Sequence, residues 1–160
     1  MRIAKFGTLF SLCIALIFLA ACQSGGADGN GEAEFDAALA EQVGADEYGM
    51  RRYVMAFLKS GPNRSQDSTE AARLQRAHLD NITRLVEEDK LSLAGPFLDG
   101  GELRGIYIFN VETIEEAEAL TETDPAIQAG RLVMELHPWY GSAALMQIKD
   151  LHGKVAKKKI

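Results

Sequence analysis

The sequence has few of the residues that build metal, disulfide or nucleic-acid sites. It contains only two cysteines and three histidines in 160 residues. Neither an H-x-H nor an H-E-x-x-H arrangement occurs, so no metal and no cofactor are predicted. Acidic residues outnumber basic residues by 23 to 17, which gives a net charge of −6. Because nucleic-acid affinity rests mainly on lysines and arginines that neutralise phosphates, no nucleic-acid partner is expected.

The first 21 residues have the order of an export signal. Arg2 and Lys5 form a short positive segment, and residues 6–21 are almost wholly apolar. This run is shorter than the roughly 20 apolar residues that a spanning helix needs. It ends in Leu-Ala-Ala-Cys at residues 19–22, which resembles the lipobox of bacterial lipoproteins, with Cys22 as the lipidated first residue of the mature chain. The alternative is an ordinary signal peptide followed by an incidental cysteine.

A lipidated Cys22 would make the mature protein a lipid-anchored membrane protein of the bacterial cell envelope. One buried acyl chain holds a protein reversibly, at ~0.8 kcal/mol per methylene, and two or more hold it firmly. Gln23 rather than aspartate follows the cysteine, so the outer membrane is favoured over the inner membrane. Cleavage also removes Cys13, which excludes a disulfide, thiol redox chemistry and a cysteine-based metal site in the mature chain.

Composition divides the mature chain into three parts. Residues 22–47 are rich in Gly, Ala, Ser, Asp and Glu, which is typical of a flexible tether, although Phe35, Leu39 and Val43 are spaced by fours and also permit a short helix. Residues 48–148 have the size of one domain. Residues 149–160 form a basic tail, which either stays solvated or touches anionic lipid at ~1 kcal/mol per lysine.

Hydrophobic periodicity predicts four strands and two helices in the order βαββαβ, with the fourth strand over residues 132–136 and an interruption at residues 137–141. This order is that of a ferredoxin-like α+β subunit, in which a four-stranded antiparallel sheet carries both helices on one face. The third strand is apolar on both sides, with Ile106 and Ile108 on one face and Tyr107 and Phe109 on the other. Because nothing in the chain is left to cover the second face, a homodimer formed through that face is expected.

His78 lies on the apolar face of the long first helix of that pattern. Leu74, His78 and Ile82 recur at a spacing of four, so they share one face. Histidine exchanges a proton readily near neutral pH, which makes His78 a candidate general base. The alternative is a histidine at the edge of the core whose ring is satisfied by a backbone carbonyl.

Four short runs, taken in order, resemble the YciI-like (YCII-related) family. They lie at residues 76–79, 93–97, 99–105 and 123–126, with a glycine at 130, and the match covers about residues 49–136. The resemblance implies a ferredoxin-like subunit that pairs into a dimeric α+β barrel. It also implies a pocket that contains His78 and Asp124. Most members of the family have no established reaction, and the best-known activity among relatives is a dehydrochlorinase acting on a chlorinated hydroxyquinol.

The expected topology also brings Asp124 towards His78, because the first helix begins at the sheet edge where the second helix ends. A carboxylate on one ring nitrogen fixes the imidazole tautomer and leaves the other nitrogen for substrate. Asp124 followed by proline is also a helix N-cap with proline at N1, which has a purely local role. Gly95 and Pro96 are expected to form a strand-end turn whose backbone lines the pocket.

The function predicted from these observations is a membrane-anchored enzyme that uses His78 and Asp124 for proton abstraction or elimination on an unknown small molecule. By resemblance, it would be a lyase of the dehydrochlorinase kind or an isomerase. The alternative is a non-catalytic lipoprotein that binds a ligand or a protein. The cluster at residues 137–140, His-Pro-Trp-Tyr, suits a pocket wall or a dimer interface, and structural packing is favoured for it.

Overall fold

The computed structural model describes residues 34–158. The predicted signal peptide, Cys22, the first part of the predicted tether and the last two residues of the tail lie outside that range. From residue 35 onwards, the described residues belong to one compact unit. Within residues 34–158, no helix is both long and apolar enough to cross a bilayer.

The described chain forms a four-stranded antiparallel sheet with helices packed on it. The strand order is β2-β3-β1-β4, and every neighbouring pair is antiparallel. The predicted ferredoxin-like α+β fold is therefore confirmed. The elements are α1 (Ala37–Val43), β1 (Met50–Ser60), α2 (Ser68–Glu87), β2 (Leu91–Pro96), β3 (Leu103–Phe109), α3 (Ile114–Thr121), α4 (Pro125–Gln128), β4 (Leu132–Ser142), a 3-10 turn (Ala143–Gln147) and α5 (Ile148–Val155).

The main core lies between the sheet and helices α2 and α3. Alternate residues of β1 and β3 face this core, with Ala56 paired to Tyr107 and Val54 paired to Phe109. Leu85 of α2 and Ala117 of α3 join the same buried cluster. Period-two burial on the strands and four-residue spacing on α2 therefore place both helices on one face of the sheet.

The second face of the sheet is partly covered within the same chain, which corrects the expectation that nothing was left to cover it. Tyr53 and Ile108 lie on this face and are buried. The 3-10 turn packs on β1 and β2, and α1 packs on the turn. The Tyr53 hydroxyl also donates a hydrogen bond to the carbonyl of Ser142 at 3.0 Å. The other half of this face, around Phe57 and His137, stays open, with their rings 5.6 Å apart.

A helix lies at each end of the domain, in segments for which composition predicted a tether and a tail. α1 lies within residues 22–47, with its N-terminus capped by Asp36, whose side chain accepts from the Leu39 N–H at 3.0 Å. Val43 is the buried residue of this helix. α5 begins at the end of the predicted domain and extends into the predicted basic tail. Helices this short are marginal by themselves, and both pack on the 3-10 turn, with α5 also on β2.

β4 continues through Pro138, where the sequence pattern predicted an interruption. Pro138 pairs with Val54 in the middle of an eleven-residue strand. β4 is an edge strand, and an edge position tolerates proline because one side of the strand has no ladder partner for an N–H. The predicted end of this strand at residue 136 was therefore wrong.

A close backbone contact connects the loop between β1 and α2 to the loop between α4 and β4. The Gly61 N–H donates to the carbonyl of Arg131 at 2.9 Å, and the Asn63 N–H donates to the carbonyl of Gly130 at 3.0 Å. A Cβ at position 61 would lie 2.2 Å from the Gly130 carbonyl oxygen. Only glycine permits this approach, which holds the loop after α4 against the loop that leads into α2.

Candidate active site

His78 projects from α2 towards the sheet and is only 7% exposed. Leu74 and Leu85 of the same helix are also buried. α2 begins at an N-cap, because the Asp67 side chain accepts from the Glu70 N–H at 2.8 Å. With the start of the helix fixed by the cap and its rotation fixed by the two leucines, the imidazole is held against the core.

Asp124 is fully buried and has two roles at once. One carboxylate oxygen, Oδ1, accepts a hydrogen bond from the Ala126 N–H at 2.8 Å and caps α4. The other oxygen, Oδ2, lies 2.5 Å from Nδ1 of His78. The two alternatives considered for this aspartate, a local cap and a partner of the histidine, are therefore both present in the structure.

Tyr107 contacts the other nitrogen of the imidazole. Its hydroxyl lies 3.4 Å from Nε2 of His78, and the two rings are close to parallel, with centroids 6.2 Å apart. Burial raises the pKa of the Tyr107 hydroxyl far above its usual range, and the negative charge of Asp124 raises it further. The hydroxyl therefore keeps its proton and can donate it to Nε2 in a hydrogen bond.

These contacts fit one tautomer of a neutral His78 ring. Because an ionised carboxylate is only an acceptor, the hydrogen bond to Asp124 requires a proton on Nδ1. Nε2 then carries the lone pair and faces the Tyr107 hydroxyl. The imidazole therefore lies between a buried carboxylate and a buried hydroxyl, in a part of the core from which water is largely excluded.

A second group of polar contacts attaches the segment before Asp124 to α2. Asn81 is buried one turn after His78, and its side-chain oxygen accepts from Arg84 at 2.8 Å. The Thr123 hydroxyl contacts the same oxygen at 3.1 Å and donates to the carbonyl of Leu120 at 2.6 Å. Within the described range, the Asn81 amide nitrogen has no hydrogen-bond partner. The position of Asp124 is therefore fixed by contacts with α2 as well as by its own loop.

The two other predicted pocket residues are not brought to His78. Gly95 pairs with Ile106, which places it on the face of the sheet away from α2. Pro96 pairs with Gly105 at the end of β2 and is exposed. Neither residue hydrogen-bonds the imidazole in the described chain, so no contact places them in the same site.

The cluster at residues 137–140 belongs to a different part of the molecule. His137 pairs with Met55 on the second face of the sheet, and its Nε2 lies 2.9 Å from a carboxylate oxygen of Glu135. Trp139 packs on Tyr53 at a ring distance of 5.7 Å. In residues 34–158, no group of three or more His, Cys, Asp or Glu side chains could hold a metal ion.

Two surface clefts lie away from His78. One lies between α3 and β4 and is lined by Ile114, Glu118, Thr121, Glu122, Met134 and Leu136. The other is lined by Arg52, Tyr53, Glu112, Pro138, Trp139 and Tyr140. Neither of these two clefts is lined by His78, Asp124 or Tyr107.

Sequence reasoning missed Tyr107 and Asn81 as site residues. The sequence pattern assigns Tyr107 only to one face of a strand. The signal that could have identified it is that this face packs against the helix that carries His78. Asn81 is a polar residue three positions after His78, and this spacing was enough to suggest that the two share a helix side.

Comparisons with known proteins identify the family. The chain is 29% identical over 62 residues to the uncharacterized protein YjpA of Bacillus subtilis (strain 168), which covers 39% of this chain and 71% of that protein. It is also similar to the solved structure of 5-chloro-2-hydroxyhydroquinone dehydrochlorinase from Burkholderia phenoliruptrix AC1100 in complex with 2,5-dihydroxybenzoquinone. That match has 20% identity and a TM-score of 0.40, and covers 54% of this chain and 92% of that chain. The model of the YCII-related domain matches residues 53–140. The chain therefore belongs to the YCII-related domain family.

Proposed function

We propose that this protein is a small-molecule enzyme in which His78 is the general base and Asp124 holds its ring in the Nδ1–H tautomer. The observation that supports this proposal is the buried pair itself, with Oδ2 of Asp124 2.5 Å from Nδ1 of His78. A positioned base contributes about 10²–10⁴-fold to a rate. Its orientation by a buried carboxylate serves that role, since it keeps the lone pair on the nitrogen that would meet the substrate.

The reaction class that fits these residues is removal of a proton from carbon. Nε2 of His78 would take a C–H proton next to a carbonyl, and the electron pair would move onto the carbonyl oxygen or expel a leaving group such as chloride. The neutral Tyr107 hydroxyl, which contacts Nε2 in the structure, would turn from that nitrogen and donate its hydrogen bond to the oxygen on which charge develops. Elimination of the dehydrochlorinase kind and isomerisation both follow this course.

A second candidate function is non-catalytic binding of a ligand or a protein. The observation that favours it is that His78 is buried while the two surface clefts are lined by other residues. In that case the His–Asp–Tyr group would be a satisfied polar part of the core, and a partner would bind to one of those clefts.

Exchange of the C–H hydrogens of a small molecule with solvent deuterium distinguishes the two functions. It detects removal of a proton from carbon whatever product is finally formed. The chain is incubated in D₂O with a panel of hydroxyquinols, halogenated acids and 2-oxo acids, and loss of C–H signals is followed by proton NMR. His78→Gln is expected to lower any catalysed exchange by about 10²–10⁴-fold, while ligand affinity changes by less than about tenfold. Equal loss of exchange and binding would favour the binding function.

Asp124→Asn is the companion variant in the same experiment. The amide oxygen can still accept from the Ala126 N–H, but its NH₂ group would face Nδ1 and force the ring into the Nε2–H tautomer. Exchange is expected to fall as far as in His78→Gln, because Nε2 would then carry a proton in place of the lone pair that accepts one. Asp80→Asn, on the exposed side of α2 in an ion pair with Arg76, is the matched control and should retain full exchange.

We also propose that the mature chain is anchored by acyl chains on Cys22, in the outer membrane of the cell envelope rather than the inner. Cys22→Ser is expected to leave an unprocessed precursor or to release the protein from membranes washed at about 1 M salt, where the Debye length is about 3 Å and peripheral contacts are screened. Cys13→Ser, inside the predicted signal peptide, is the control. A processed Cys22→Ser protein that resists the wash would contradict the anchor.

A homodimer through the open half of the second sheet face is also part of the proposal. Phe57 is half-buried there, and Lys59 forms an ion pair with Glu135, which also contacts His137. This patch is smaller than the whole face, because α1 and the 3-10 turn cover the rest. The mass in solution, measured by sedimentation, decides whether two copies pair.

A further inference from the structure

We propose that α5 and the basic residues after it bind an anionic membrane surface. This helix has no buried residue. Leu151 is 54% exposed and Val155 is 78% exposed. Two large apolar side chains facing solvent on one short helix require a reason, and the charges around them indicate an anionic lipid surface.

The apolar residues of α5 form one stripe. Leu151 and Val155 are four residues apart, so they lie one above the other on the same side of the helix, and Ile148 continues the stripe. Lys154 and His152 flank the stripe, whereas Asp150 lies away from Val155. An apolar stripe with basic residues at its borders is typical of a helix that lies in the interface of a bilayer.

The charge of this end of the chain is opposite to that of the protein as a whole. Residues 149–160 contain five lysines and one acidic residue, in a chain with a net charge of −6. Among the described ion pairs, Lys149 is paired with Asp89, and none involves Lys154, Lys157 or Lys158. Each lysine that reaches an anionic surface strengthens binding by about fivefold, from the ~1 kcal/mol that one such contact supplies.

The body of the domain holds α5 in a fixed position. The Lys149 ammonium group donates to the carbonyl of Glu87 at 3.3 Å and to the carboxylate of Asp89 at 2.6 Å. α5 also packs on β2 and on the 3-10 turn. The stripe is therefore presented outwards on a supported helix, so binding does not require the whole helix to order from a free chain.

A membrane fits this surface better than a second copy does. Pairing of two α5 helices would bring their lysines together, and like charges repel. Two apolar side chains also give far less area than the roughly 800 Å² per partner of a stable protein interface. A bilayer surface offers negative charge and an apolar layer just below it, and its extent does not limit the contact.

Vesicle binding tests this proposal independently of the lipid anchor. The protein used is the chain from residue 22 with Cys22→Ser, a change that lies outside the compact unit beginning at residue 35. Vesicles of phosphatidylcholine alone are compared with vesicles that also contain phosphatidylglycerol. Binding is expected only to the anionic vesicles, and it should weaken as salt is raised.

Two double variants assign the binding to α5 and the tail. Leu151→Asp/Val155→Asp and Lys157→Glu/Lys158→Glu are each expected to lower vesicle binding by at least tenfold. Leu98→Asp is the apolar control, because Leu98 is an exposed side chain on the β2–β3 hairpin. Arg64→Glu/Arg104→Glu changes the net charge as much as the lysine variant does, at exposed sites on other segments. Neither control should change binding by more than about twofold.

Several results would contradict membrane binding by α5. Absence of binding, equal binding to neutral vesicles, or equal losses in the control variants would each overturn it. A doubled mass in sedimentation that both α5 variants abolish would assign the surface to a second copy and would also overturn it. The lysine variant alters only exposed side chains, so a folding defect of the Leu151/Val155 variant would leave the test intact.

Discussion

Replacing Asp124 with alanine is expected to lower the free energy of unfolding by about 3–5 kcal/mol, the usual cost of removing one partner from a buried pair. The carboxylate is fully buried, and both of its oxygens are used. Alanine would leave Nδ1 of His78 and the N–H of Ala126 without partners in a place that water does not reach. Each orphaned polar group has its own desolvation cost.

Urea unfolding measures this loss as a lower midpoint at an unchanged slope. Asp80→Ala is the matched control, since Asp80 pairs with Arg76 at 2.8 Å on the exposed side of the same helix. An exposed pair contributes only about 0–1 kcal/mol. A loss of less than about 1 kcal/mol in Asp124→Ala would mean that solvent compensates both groups and that the pair is not buried in solution.

His78→Ala combined with Asp124→Ala completes a double-mutant cycle. If the pair acts as a unit, the double variant should cost less than the sum of the two single variants, because removing both groups leaves no unpaired charge. Additive losses would assign the two residues to independent parts of the core.

The order of strands and helices was predictable from the sequence, because the alternation of buried and exposed residues within each element is a local pattern. The alternation through β3 and the four-residue spacing of Leu74, His78 and Ile82 in α2 each fix which side of an element is buried. The extent of β4 was not predictable in this way. Whether Pro138 interrupts a strand depends on which side of that strand has a neighbour, and this is known only once the strand order is known.

The coverage of the second sheet face was missed for a related reason. Composition indicated a tether before residue 48 and a loose tail after residue 148, because glycine, alanine and charged residues dominate there. α1 has one buried residue, Val43, and α5 has none. Such helices gain little from their own apolar stripes, and their order comes from contacts with the 3-10 turn and β2, which no local pattern reveals.

The candidate site was predictable only in part. His78 could be found because a polar residue occupied an apolar helix face, and Asp124 because the topology of a split βαβ unit brings two helix ends together. Tyr107 looks like an ordinary core residue in an alternating strand. Its contact with Nε2 depends on the rotation of α2 over β3, so it appears only in three dimensions.

Tyr107 is expected to stay protonated in the folded protein well above pH 10. Burial raises the pKa of its hydroxyl, and the nearby charge of Asp124 raises it further. A tyrosine in the unfolded chain ionises near pH 10. Since the folded pKa is the higher one, the stability from the buried neutral hydroxyl is complete below about pH 10 and is lost as the pH rises towards the folded pKa. The loss is about 1.4 kcal/mol for each pH unit.

Urea unfolding between pH 9 and 12 measures this slope, and tyrosinate absorbance shows which hydroxyls have ionised. Burial also raises the pKa of Tyr53, so the wild-type protein should release more than one proton on unfolding in this range. Tyr107→Phe is expected to reduce by one the number of protons released on unfolding, which the slope of unfolding free energy against pH reports. Tyr48→Phe, at an exposed position, should leave this slope unchanged. Ionisation of all four tyrosines near pH 10 in the folded state would contradict the buried hydroxyl. It would also remove the neutral donor that the proposed base requires beside Nε2.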